Sequence, residues 1–409
     1  MRKNVLTRLI VLLAALALAA TACASDDGGS DEETEAAGAA EDTAATEEEP
    51  AEEEPAATEE EPAEEPEDTE AADGGEASGE GLIAVLLPDS ASSSRWESDD
   101  RPAFEAAFEE LGLSPDDYQI QNAEGDAVAQ QQQAEQAITN GASVIVMTNL
   151  DSGSGAAIHQ MARDAGVAVI DYDRLTLDST ADYYVSFDNE AVGRLQGETL
   201  VQCVEDQGIE NPAVAVLNGS PTDNNATLFK NGYDGVINPL FDSGDWTEVD
   251  DQSVPEWDNQ QALQIFEQMY TAAGGEIDAV LAANDGLGNA VVQVLLTNDA
   301  AGIPVTGQDA TVEGLQNIVQ GYQCMTVYKA IPQEATAAAE LAVALRNGEE
   351  AETNASVDSG AGEVPSVLLE PTAVTADNIM DTVVADGFRT VEEICTGPVA
   401  ETDWCTENA

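Results

Sequence analysis

The sequence predicts an α/β fold made of two doubly wound parallel-sheet lobes. From residue 81 onward, short β-branched runs alternate with segments of helical period. Those runs are apolar almost throughout, as strands covered on both faces of a parallel sheet are. The alternation also lasts for about 240 residues, more than one sheet of ordinary width takes up.

GLIAVLLP, from residue 81, reads as the first strand. Over 99–112, Phe104, Ala107, Phe108 and Leu111 recur at helical spacing, with Pro102 early and Gly112 as the stop. YQIQNA, SVIVMTNL and VAVIDYDR continue as strands, parted by helices near 126–140 and 153–165. ADYYVSFDN, PAVAVLNG, IDAVLAAND and IPVTGQD then repeat the pattern, each ahead of a helix. In open α/β sheets, ligands bind beyond the carboxyl ends of the strands. Polar residues gather at those ends: Asp173 and Arg174, Asp223 to Asn225, Asn284 and Asp285, and Asp309. Asp and Asn are also ordinary turn and cap residues, so it is their recurrence at strand after strand that points to a site.

The beginning of the chain is different material. Arg2, Lys3 and Arg8 precede an apolar run from Leu9 to Ala20, and small residues then lead to Cys23. This is the order of an export signal, with the run too short for a comfortable membrane span. Residues 24–80 hold 25 acidic residues and no Lys, Arg or aromatic side chain, with Pro recurring. Such a stretch cannot bury enough apolar surface to offset its chain entropy, so 23–80 is expected to be an acidic disordered tether.

The whole chain has 409 residues, 12 Lys and Arg against 81 Asp and Glu, and a formal net charge of −69. That balance excludes nucleic acid, whose phosphates need cations, and attraction to anionic lipid surfaces. Beyond residue 80, 56 acidic residues face nine basic ones, so the body is expected to tolerate its self-repulsion best in salty surroundings.

Catalytic signatures are missing. There is no phosphate-binding G-x-x-x-x-G-K-[ST], and no G-x-G-x-x-G follows the first strand. DSGSG at 151–155 lacks the spacing of a G-x-S-x-G nucleophile turn. No His or Cys cluster has zinc spacing and no segment fits an EF-hand, so neither metal nor cofactor is expected. The single histidine, His159, reads as an ordinary helix residue on a solvated or half-buried face. Four cysteines follow Cys23: Cys203, Cys324, Cys395 and Cys405. In an exported chain they favour disulfides, with three pairings open; Cys395 with Cys405 is the simplest closure and would leave Cys203 with Cys324.

A pocket for a neutral polyol needs carboxylates and amides for hydroxyls, cations for charge-assisted bonds, and aromatic faces for C–H surfaces. Three of the nine cations beyond the tether stand at strand ends: Arg95 beside Trp96, Arg174 beside Asp173, and Lys329 after TVY. Trp96 and Trp257 are in loops near them.

Nine segments in order then resemble the periplasmic sugar-binding proteins of bacterial ABC importers, above all the D-xylose-binding and multiple-monosaccharide-binding members. They are SSRW (93–96), DYDRL (171–175), YYVSFDNEAVGRLQ (183–196), NGSPTDNNATLF (218–229), AAND (282–285), TGQDA (306–310), CMTVYK (324–329), VPSVLLEP (364–371) and DTVVADGF (381–388). The resemblance implies a type I periplasmic binding protein fold, with lobes of 81–187 plus 330–370 and 188–329 plus 371–409. It implies a three-segment hinge near 187–189, 328–331 and 370–374. The ligand contacts it implies are Arg95, Trp96, Asp173, Arg174, Asp223, Asn225, Trp257, Asn284, Asp309 and Lys329. The small-residue stretch before Cys23 resembles a lipobox, implying cleavage there and a lipid on its thiol. The implied function is binding of D-xylose for import, or alternatively of glucose, galactose or arabinose for import or chemosensing, by a monomeric exported protein, lipid-anchored to the outer face of the cell membrane or periplasmic, and not an enzyme. The implied partners are an ABC permease and its ATPase. PDSASSSRW, YDRL and the approach to Trp257 depart from the xylose pattern, which bears on the sugar's identity and not on its class.

Overall fold

The structure is a computed structural model and describes residues 79–408. The expected export signal, Cys23 and nearly all of the expected tether lie outside the described residues.

The chain first builds β1 (Leu82–Leu87), α1 (Arg101–Glu110), β2 (Tyr118–Asn122), α2 (Ala127–Thr139), β3 (Ala142–Met147), α3 (Ser152–Ala165), β4 (Ala168–Tyr172) and β5 (Tyr183–Phe187). It continues with α4 (Asn189–Asp206), β6 (Ala213–Asn218), α5 (Asn224–Ser243), β7 (Thr247–Ser253), α6 (Asn259–Ala272), β8 (Ala279–Ala282), α7 (Asp285–Thr297), α8 (Val312–Val319) and β9 (Thr326–Tyr328). Then come α9 (Ile331–Arg346), β10 (Ala355–Asp358), β11 (Glu363–Leu369), β12 (Thr372–Val374), α10 (Val391–Ile394) and α11 (Asp403–Asn408).

One sheet has the order β10-β11-β5-β4-β3-β1-β2 and is parallel except for the β10–β11 hairpin. Its apolar residues pack against α1 and α9 on one face and against α2 and α3 on the other. A second core forms around the parallel strands β7-β6-β8 with α4 to α7. The antiparallel pair β12–β9 stands beside it. The chain passes between the two cores three times, after β5, between β9 and α9, and between β11 and β12. Asp188 N donates to Leu369 O (3.0 Å), binding two of these passages to each other. Arg389 and Asp99 join the halves again, Nη1 to Oδ1 at 2.6 Å and Nη2 to Oδ2 at 2.9 Å.

Helix entry is set by side chains that accept from otherwise unpaired amides. Asp126, Asp151, Asp188, Asp223, Asp258, Asn284 and Thr311 each do this at the start of a helix. Helices α4 and α5 cross on glycines. A Cβ on Gly193 would stand 1.9 Å from Phe229 O, and one on Gly232 2.2 Å from Glu190 O. That contact seats Asn189 and Phe229 beside the cleft.

Three expectations are corrected, and one strand was not foreseen. The helix expected over 99–112 starts as a short π turn (Trp96–Asp100), and Leu111 is exposed. IPVTGQD forms no full strand, only a bridge from Val305 to Val280. Beyond the bridge the Thr306 hydroxyl accepts from Ala282 N (2.9 Å) and donates to Ala282 O (2.8 Å), so a side chain replaces the ladder. TEVDDQS, with no apolar alternation, is nonetheless strand β7 at a sheet edge. His159 is fully buried rather than solvated. The four cysteines form two disulfides, Cys203–Cys324 and Cys395–Cys405.

Candidate functional site

All ten residues expected to contact ligand line one inner cavity between the two cores. Arg95 and Trp96 arrive from the turn after β1, and Asp173 and Arg174 from the end of β4. Asp223 and Asn225 open α5, Asn284 caps α7, and Trp257 sits in the short turn before α6. Asp309 lies in the loop before α8, and Lys329 in the passage from β9 to α9. Asp223 and Asn284 thus serve both as helix caps and as cavity walls.

Charge is packed densely here, with Arg95 making most of the bonds. Arg95 Nε and Nη2 donate to the two oxygens of Asp100 (2.9 and 2.8 Å), Nη2 also to Glu334 (2.9 Å), and Nη1 to Asp173 (2.8 Å). Burial alone would push this guanidinium down, but Asp100, Asp173 and Glu334 hold it well above its ordinary value. Arg95 therefore acts first as a clamp on carboxylates, stacked over Trp96 at 4.4 Å. For Asp173, burial pushes upward, yet Arg95, Lys329 and Arg174 bring its carboxyl down to about 2. Asp173 stays ionised, facing Lys329 Nζ at 3.7 Å, while Asp309 lies 3.4 Å from the same nitrogen.

Across the cleft, Arg174 Nε lies 3.1 Å from Asp223 Oδ2. That carboxylate also accepts from Trp257 Nε1 at 3.0 Å, which orients the indole. Asn225 Nδ2 donates to Asp173 O (2.9 Å), and its Oδ1 accepts from Asn189 (3.0 Å). Burial raises two carboxyls behind the wall above the ordinary carboxylate range. Glu334 is pushed up to about 8 and Asp285 up to about 7. Asp285 accepts from Thr311 N (2.9 Å) and Gln323 Nε2 (2.8 Å), fastening the loop that carries Asp309 at φ 97°.

The inner cavity has a volume of about 30 Å³, and a cleft of about 910 Å³ adjoins it, sharing Ser92, Arg174, Asp223 and Trp257 with it. Sequence reasoning missed Ser92, Ser93, Phe229 and Gln308 in the inner wall. It also missed Gly219, against which Trp257 packs so closely that a Cβ there would meet the ring at 2.0 Å. Among the described residues, no group of three or more His, Cys, Asp or Glu side chains could hold a metal ion.

Two α/β halves joined by three passages, with a polar cavity walled by two indoles between them, define a solute-binding protein. Residues 83–350 match the periplasmic binding protein domain family, and the chain belongs to that family, with the type I fold. It is 39% identical over 301 residues to the D-xylose-binding periplasmic protein of Escherichia coli K12, covering 73% of this chain and 88% of that one. To the D-xylose-binding periplasmic protein of Haemophilus influenzae it is 40% identical over 301 residues, with the same coverage of 73% and 88%. Among solved structures, the ABC transporter solute binding protein of Clostridium phytofermentans with bound β-D-glucose superposes with a TM-score of 0.70. That protein is 29% identical, and the match covers 76% of this chain and 99% of the other. These relatives are binding proteins and not enzymes, and this chain stands with them as a solute-binding protein.

Proposed function

We propose that this protein captures D-xylose outside the cytoplasm and delivers it to the permease and ATPase of an ABC importer. The observation that carries the proposal is the convergence of Arg95, Asp173, Arg174, Asp223, Asn225 and Lys329 with two indoles on one cavity. The D-xylose-binding relatives support the choice of pentose. Glucose is the second reading, favoured by the glucose-bound relative.

Micromolar affinity takes roughly 8 kcal/mol, or about 0.8 kcal/mol for each of the ~10 heavy atoms of a pentose. Such a density requires nearly complete enclosure. The inner cavity is smaller than a monosaccharide, so the lobes part at the three passages and the Arg174–Asp223 pair separates to admit one. Sugar hydroxyls then take over the bonds these side chains make with each other, Trp96 and Trp257 cover the ring, and the liganded form closes. We also propose cleavage before Cys23, a lipid on its thiol, an extended tether over 23–80, and a working monomer.

Calorimetry with D-xylose, glucose, galactose, arabinose and ribose tests the reading. Tight binding of xylose is expected. No heat with xylose but tight binding of another aldose would replace the sugar and keep the class; no binding by any would end the proposal.

A further inference from the structure

His159, on α3, is enclosed by two partners. Its Nε2 lies 3.0 Å from Asp171 Oδ1 and its Nδ1 3.0 Å from Ser179 Oγ. Asp171 also accepts from Thr176 N (2.8 Å) and Thr176 Oγ1 (2.9 Å). A carboxylate receiving these donors is an acceptor toward the imidazole as well. Nε2 therefore carries a hydrogen toward Asp171, and Nδ1 pairs with the Ser179 hydroxyl. The order Ser–His–Asp is that of a hydrolase triad, but none of the three lines either cavity and all are buried. A substrate has no path to the hydroxyl, so nucleophilic chemistry is not the use of this cluster.

What the cluster holds is the turn 171–176. Asp171 and Thr176 stand at its ends, with Asp173 and Arg174 between them. Asp173 has φ 63°, in the left-handed region that costs a non-glycine residue free energy unless its surroundings over-determine it. On the cleft side, Asp173 O accepts from Tyr184 (3.1 Å), Ser186 (2.8 Å) and Asn225 (2.9 Å). From behind, Asn149 Nδ2 donates to Arg174 O (3.2 Å) and to Thr176 Oγ1 (3.0 Å). His159 completes the rear of this frame and ties it to α3.

We propose that His159 is a positioning residue for the sugar site: through Asp171 it fixes the turn that aims Asp173 and Arg174 into the cavity. The ligand-binding arm of the proposal rests on the sugar-binding reading above.

The full mature protein is compared with His159→Phe, which removes both ring hydrogen bonds, and His159→Gln, which keeps a donor toward Asp171. In ligand-free protein, amide exchange over 173–176 is expected to accelerate in His159→Phe and to recover in His159→Gln. D-Xylose affinity is expected to fall about tenfold or more in the first variant and to return to within about threefold in the second. Because the chain has one histidine, its side-chain ¹H–¹⁵N signals are unambiguous, and saturation with D-xylose is expected to shift them. A folded His159→Phe protein with unchanged exchange over 173–176 and affinity within about twofold of the parent overturns the proposal. If His159→Phe does not fold, Ser179→Ala with the same readouts decides it, an unchanged turn and affinity again counting against. If the parent binds no aldose, the sugar reading falls, while amide exchange still decides the positioning role.

Discussion

Trp257 rests on Gly219, where a side-chain carbon would come within 2.0 Å of the indole. The glycine lets the ring lie against the backbone, and Asp223 then fixes the ring's heading through Nε1. Gly219→Ala is expected to push the indole into the cavity and weaken D-xylose binding about tenfold or more. Trp257→Ala, which removes the anchor itself, is expected to cost about 2 kcal/mol or more. Calorimetry checks both, and parent-like affinity in both variants would remove Trp257 from the site.

Stability is expected to decline as pH rises from about 4 to about 8. Glu334 and Asp285 are pushed up by burial to about 8 and about 7, while in the unfolded chain they titrate as ordinary carboxyls. Between those values the folded state keeps protons that the unfolded state has released, so alkali favours unfolding. Melting midpoints across this range should fall, and Glu334→Gln should flatten the upper part of the curve. A midpoint that climbs steadily through the same window would contradict the assignment.

Peptide mapping without reductant is expected to return Cys203 linked to Cys324 and Cys395 linked to Cys405. The first bridge spans 121 residues and the second 10. By loop entropy, opening the long one should cost about 5 kcal/mol and opening the short one about 3 kcal/mol. Cys203→Ser together with Cys324→Ser should therefore lower the melting midpoint more than the corresponding change at the other pair. Any cross-linked peptide joining Cys203 to Cys395 or Cys405 would overturn this pairing.

The excess of carboxylates over cations beyond residue 80 predicts a protein stabilised by screening. Its melting midpoint should rise as sodium chloride is raised from about 0.05 M to about 1 M. A midpoint indifferent to ionic strength would show that the surface charges are too far apart to repel.

Much of the fold was legible because its central strands are apolar throughout, and only buried parallel strands write themselves that plainly. Strand β7 was not, since an edge strand with polar side chains on both faces carries no alternation. The strand expected in IPVTGQD failed because Thr306 makes with its side chain the bonds that a ladder would make with its backbone. At the site, Asp223 and Asn284 could be found because the ends of strands are also where caps and ligands gather. Glu334, Asp100 and Gly219 could not, because their roles depend on residues that approach only in space, as Glu334 reaches Arg95 from 239 positions away. His159 was misread because small residues surround it in α3, so no apolar stripe marks the helix's inner face.

Both covalent bridges fall on the same side of the cleft, Cys203–Cys324 against the second core and Cys395–Cys405 against the neighbouring cluster beneath β9 and β12. Neither straddles the gap, so the swing of one jaw against the other is left unstapled. Oxidation toughens a single jaw, and its partner owes its durability to noncovalent contacts alone. A reducing agent should thus blunt resistance to heat well before it alters how readily the mouth opens.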